Sequence, residues 1–150
     1  VSVRPLKLPA VALLAWAVIG CSGRRPTDLG AASGALRPCR ATPNCVSSEE
    51  GTPPEKRIAP LPAPAGGSDM VRLARQMAAW PRTTVIESTP KYVRAESRSR
   101  LMRFVDDVEF RHDSAGQVIH VRSASRLGRR DFGVNRERIE AIRDRFTTQP

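Results

Sequence analysis

Between Thr83 and Ser123 the sequence offers four consecutive runs that read as β-strands, and this limits the fold more than any other feature. "TTVIE" (83–87) is short and β-branched. "YVRAESRSR" (92–100) alternates. Tyr92, Arg94, Glu96, Arg98 and Arg100 share one face, and Val93, Ala95, Ser97 and Ser99 the other. "FVDDVEFR" (104–111) sets Phe104, Asp106, Val108 and Phe110 against Val105, Asp107, Glu109 and Arg111. "VIHVRS" (118–123) sets Ile119, Val121 and Ser123 against Val118, His120 and Arg122. "STPK" (88–91) and "DSAG" (113–116) supply turns. Neighbouring runs joined this tightly form antiparallel hairpins.

Helical spacing brackets the strands. Met70, Leu73, Ala74 and Met77 recur at i, i+3, i+4 and i+7, with Ser68 as the expected N-cap and Asp69 in the first turn. Ile139, Ile142 and Phe146 make a second stripe, with Asn135 as its expected N-cap. The expected fold is α+β: a small four-stranded antiparallel sheet with two helices on one face, in the order α-β-β-β-β-α, over residues 68–146. A core of that size is marginal, so a stapled preceding segment would help it.

The rest of the chain sets the compartment. Arg4 and Lys7 precede an uncharged run, Leu8–Gly20, that is shorter than the about 20 residues a spanning helix needs. It ends in "VIGC", similar to a bacterial lipobox. The expectation is a lipoprotein signal peptide over residues 1–20 and a lipid, palmitate included, on Cys21. Residues 21–35 read as a flexible Gly/Ala/Ser/Arg tether. Residues 36–67 read as an extended Pro-rich segment holding Cys39 and Cys45, which an oxidising compartment would join as a disulfide.

The formal charge is +10, and only Lys7, Lys56 and Lys91 are lysines, so the basicity is almost all guanidinium. Such a chain is drawn to anionic surfaces. Export to a cell envelope removes nucleic acid as the expected partner and leaves lipid headgroups, acidic polysaccharide or a protein partner. Ser22 in place of Asp after Cys21 resembles outer-membrane sorting, on the periplasmic face of a Gram-negative cell.

Three motifs then carry a resemblance. "PCRATPNCVSS", "ESRSRLMRFVDDVEFR" and "VIHVRSASRLGRRDFGVNRERIEAIR" resemble, in that order, the family called domain of unknown function 1499, over Leu36–Arg145. The family occurs in bacterial lipoproteins, in membrane-associated proteins and in photosynthetic organelles, and has no established activity. The resemblance implies one domain in an envelope setting and transfers no catalytic residue. Where the family pattern has a small residue before Asp131, this chain has Arg130.

Three functional readings follow. The first is a non-enzymatic binding or interaction module. Arg122, Arg126 and Arg136 would converge with Ser123, Ser125, Asp131 and Asn135 on a phosphate or carboxylate at a helix start. Against it, Asp131 would tie down the arginines and Asn135 would merely cap. The second is an envelope hydrolase or acid–base enzyme using Glu96, Asp106, Asp107 or Glu109. It requires two unpaired carboxylates in a cleft, and cross-strand ion pairs are the simpler role for these groups. The third is a structural member of an envelope complex, marked by an exposed apolar patch. No G-x-S-x-G elbow occurs, and no cofactor or metal is expected.

Overall fold

A computed structural model describes residues 22–148. The expected signal peptide and Cys21 lie outside the described residues. The elements run β1 (Cys45–Ser47), a 3-10 turn (Pro54–Lys56), β2 (Leu61–Pro62), α1 (Gly67–Ala78), β3 (Thr83–Ser88), β4 (Tyr92–Arg98), β5 (Val105–Asp113), β6 (Val118–Ser125) and α2 (Val134–Thr148).

The four expected strands are β3 to β6, and they form a meander. The sheet nevertheless has six strands, all antiparallel, in the order β1-β6-β5-β4-β3, with β2 also paired to β6. The four-stranded expectation is thereby corrected, and the chain order becomes β-β-α-β-β-β-β-α. The two extra strands come from the Pro-rich segment. They are only three and two residues long, too short to show an alternation. Placed end to end, they cover the open edge of β6: β1 along Arg122–Ala124 and β2 along Val118–Ile119. The Cys39–Cys45 disulfide staples the entrance to β1.

Both expected caps are also corrected. The cap of α1 is Gly66, in the left-handed region at φ 58°, and Ser68 lies inside the first turn. Asp69 instead accepts from the Ala65 backbone N–H at 2.8 Å. Asn135 lies within α2, where it is fully buried. Asp131 takes its place before the helix, accepting from the Gly133 and Asn135 amides at 3.2 and 3.0 Å.

The pleat now separates two faces. On one, Val93, Ala95, Val108, Phe110, Ile119 and Val121 pack under both helices, meeting Leu73 and Met77 of α1 and Ile139, Ile142 and Phe146 of α2. Val46, Ile58, Leu61 and Ala63 close this core from the N-terminal side. The other face carries charge, and residues 22–37 run across it. Arg25 and Gly30 donate to carboxylates of the sheet, and Leu36 is buried. The stretch expected as a tether therefore has hydrogen bonds into the domain.

Candidate functional site

The charged face is built by strand register. Arg94 of β4, Glu109 of β5 and Arg122 of β6 stand opposite one another across three strands, and Glu96 stands opposite Asp107 in the next row. Arg126 follows β6 and reaches back over them. Glu96, Asp107, Glu109, Arg94 and Arg122 are all buried.

Every carboxylate here is held by a guanidinium. Arg126 donates through Nε and NH2 to both oxygens of Asp107, each at 2.8 Å, and through NH2 to Glu96 at 2.5 Å. Arg25 donates to the same Glu96 oxygen at 2.5 Å. Arg94 donates to Asp107 at 3.1 Å and to the Pro26 carbonyl at 3.3 Å. Arg122 donates to Glu109 at 2.8 Å. The other Glu109 oxygen accepts from the Tyr92 hydroxyl at 2.7 Å and the Gly30 amide at 3.2 Å.

Burial would raise the pKa of Glu96, but the hydrogen bonds from Arg25 and Arg126 outweigh it and hold the carboxyl below its ordinary range. Burial, with Glu109 alongside, pushes the Tyr92 phenol far above its usual value, so Tyr92 is a donor to Glu109 and not a base. A general acid needs the opposite arrangement, a carboxyl lifted toward neutrality. Glu96 and Tyr92 are both held away from that arrangement.

Among the described residues the buried Nε–H groups of Arg94 and Arg122 have no hydrogen-bond acceptor. Beside Arg122 lies a cavity of about 30 Å³, bordered by Arg37, Arg40, Asn44, Asp107 and Arg126. It has room for one or two water molecules and not for a sugar or a phosphate ester.

On the helix side of the sheet a second polar cluster surrounds Asn135. Its Nδ2 donates to the Asn44 carbonyl, Ser125 Oγ and Asp131 Oδ2 at 3.1, 3.0 and 2.8 Å. Its Oδ1 accepts from Ser123 at 2.5 Å and from Arg138 at 2.8 Å. Arg138 also donates to Asp106 at 2.5 Å. These groups are mutually satisfied, and they tie the start of α2 to the end of β6.

The seven residues expected to gather around one anion are thus divided. Arg122 and Arg126 lie on the charged face. Ser123, Ser125, Asp131 and Asn135 lie on the helix side. Arg136 points elsewhere, donating to the Arg57 and Glu55 carbonyls at 2.9 and 3.1 Å. The physical reason is the pleat, because alternate residues of β6 project to opposite faces. The four candidate carboxylates divide the same way, Asp106 on the helix side and the other three on the charged face.

A third cluster was not anticipated from the sequence. Glu49 accepts two hydrogen bonds from Arg111, at 2.9 and 3.0 Å, and one from the Leu36 amide. Ser48 Oγ lies 3.2 Å from His120 Nδ1, and His120 Nε2 lies 3.6 Å from Asp113. The residue types are those of a hydrolytic triad, but the geometry is not. The Asp113 contact exceeds hydrogen-bond length, Ser48 Oγ is engaged by the Val121 amide at 2.8 Å, and His120 Nδ1 also faces the Ser48 carbonyl at 3.3 Å. Tyr92, Arg138 and Ser48 gave no signal in the sequence, because nothing local distinguishes a buried partner from a solvated one. Among the described residues no group of three or more His, Cys, Asp or Glu could hold a metal ion.

Residues 35–146 match the profile of a family described as "Protein of unknown function (DUF1499)". No curated protein and no solved structure matches the chain. The match spans most of the sequence, and the chain belongs to this family.

Proposed function

With that membership as the premise, we propose that this is a lipid-anchored cell-envelope protein whose folded domain is a non-enzymatic interaction module. The anchor is the expected thioether-linked lipid on Cys21, on the strength of "VIGC" after an uncharged apolar run. Among the described residues no helix is long and apolar enough to cross a membrane. The module takes an anionic envelope component or a protein partner.

The observation that supports this reading over an enzyme is the pairing of all four candidate carboxylates. Glu96 and Asp107 bind Arg126, Glu109 binds Arg122, and Asp106 binds Arg138. A hydrolase would leave a carboxyl or a nucleophile facing an open cleft. Here the cavity beside Arg122, Asp107 and Arg126 admits only water-sized groups, and the larger groove of about 820 Å³ lies along Glu49, Arg111, Asp113 and His120, away from the four candidate carboxylates.

The test has two parts. Mass spectrometry of the mature protein is expected to find acyl chains on Cys21, abolished in Cys21→Ser. Turnover assays on envelope ester, amide and glycoside substrates are expected to stay at background. Turnover in the wild type that is lost in Glu109→Gln, with the variant still folded at the assay temperature, would overturn the non-enzymatic reading.

A further inference from the structure

The domain has one end that its own packing does not explain. Strand β4 finishes and β5 starts there, because Arg98 pairs with Val105. Strand β6 finishes at the same end, because Ser125 pairs with Asp106. Two loops therefore project side by side: 99–104, between β4 and β5, and 126–133, between β6 and α2. They and the first residue of α2 carry Leu101, Met102, Phe104, Leu127, Phe132 and Val134, all exposed. Leu101 is 87% exposed and Phe132 90%. Six large apolar side chains in solvent at one end mark an interaction surface.

The backbone agrees. Arg103 and Phe132 sit in the left-handed region, at φ 54° and 53°. A bulky residue there is unfavourable. Arg82 and Gln117 share this conformation elsewhere in the fold, and Phe132 differs from them in being a large apolar residue that is 90% exposed.

The charge on these loops selects the partner. Arg100, Arg103, Arg129 and Arg130 are exposed among the apolar groups. The only acidic residue in either loop, Asp131, is occupied by Asn135 and the helix amides. Apolar side chains interleaved with unopposed guanidinium groups fit the headgroup–acyl boundary of an anionic bilayer. The chain entry agrees as well. A Cβ added at Gly23 would lie 3.0 Å from Leu127 Cγ and 3.0 Å from Arg126 Cβ, so the backbone two residues after Cys21 packs on the second loop. A lipid on Cys21 would leave the domain at this end.

We infer that loops 99–104 and 126–134 form a membrane-docking end that seats the domain directly on an anionic lipid bilayer. The anchor of the proposed function lends it orientation, but the loops bind lipid by their own chemistry. The domain then lies end-on, with the meander upright and the 88–91 and 114–117 turns farthest from the lipid. The arginines supply attraction at a distance, and the apolar tips supply insertion.

The test uses the fragment Ser22–Pro150, which contains every described element and both sides of the core, and vesicles of phosphatidylcholine with or without phosphatidylglycerol. The fragment is expected to co-sediment with the anionic vesicles and not with pure phosphatidylcholine. Arg129→Glu with Arg130→Glu should weaken partitioning roughly 30-fold or more, because each arginine beside an anionic surface strengthens binding about fivefold. Leu101→Ser with Phe132→Ser should abolish it, with thermal unfolding unchanged since both side chains are exposed. No sedimentation with anionic vesicles would overturn the inference. So would a fragment that ignores vesicles but forms a dimer dispersed by Phe132→Ser, which would assign the patch to a second copy of the chain. Flotation of the full-length acylated protein with vesicles reports the anchor separately, so failure of the anchor reading and failure of the docking end give different results.

Discussion

The two faces of one sheet are built on opposite physical terms. Beneath α1 and α2, Val93, Val108, Phe110 and Val121 gain from leaving water whatever their exact neighbours. Beneath residues 22–37, Glu96, Asp107 and Glu109 lose hydration on burial and recover it only from guanidinium groups at hydrogen-bond distance. The first face tolerates change of shape in proportion to the volume changed. The second depends on how many partners each charge keeps: Glu109 has Arg122 as its guanidinium partner, whereas Glu96 and Asp107 each have more than one. The apolar side therefore supplies most of the stability. The charged side fixes register and the path of the N-terminal segment.

Substitutions that act on one face at a time sharpen this contrast. Phe110→Ala empties the middle of the apolar face and is expected to cost about 3–5 kcal/mol in urea unfolding. Glu96→Ala removes one of the two carboxylates that Arg126 binds, leaving it Asp107, and is expected to cost about 1–3 kcal/mol. A cost no larger than that of a typical surface substitution would mean that the charged face is solvated and not a second core.

Acid separates the faces without mutation. Glu96 and Glu49 both have folded pKa values below their ordinary range. For each, burial works against the shift and the arginine hydrogen bonds prevail. The unfolded chain binds these protons more readily, so their stabilisation is complete above about pH 4.3 and fades as pH falls through the folded values. The urea midpoint should drop on acidification in the wild type and more shallowly in Glu96→Gln. The smallest effect is expected for Arg25→Ala, whose side chain is 56% exposed and whose partner Glu96 keeps Arg126. Hydrogen exchange should register it as faster exchange at the Gly30 amide, with little change in the global midpoint.

Much of the fold was legible in the primary structure. The β-branched run placed β3, the period-2 runs placed β4 to β6, and the 3.6-residue stripes placed both helices and their buried residues. The Asp106–Asp107 step put its two carboxylates on opposite faces, and the close pair Cys39 and Cys45, with an oxidising compartment expected, pointed to the disulfide. These follow from periodicity and local chemistry, which each residue carries with it. Strands β1 and β2 were not legible, since two or three residues have no period and their existence depends on the free edge of β6. The candidate site looks like one cluster along the chain because Arg122, Ser123, Ser125 and Arg126 are close in sequence, and the pleat then parts them.

The sequence alone determined the meander, the two helices, the alternation of charge with apolar groups and the family. Only the tertiary structure decided which charges are buried, which arginine meets which carboxylate, and that the chain after residue 21 closes over them. It also decided that loops far apart in sequence, 99–104 and 126–133, project from one end with their apolar residues exposed. The reason is that periodicity is a property of neighbours along the chain. Burial and ion pairing are set by groups brought together from distant parts of it: Arg25 meets Glu96 across 71 positions and Gly30 meets Glu109 across 79.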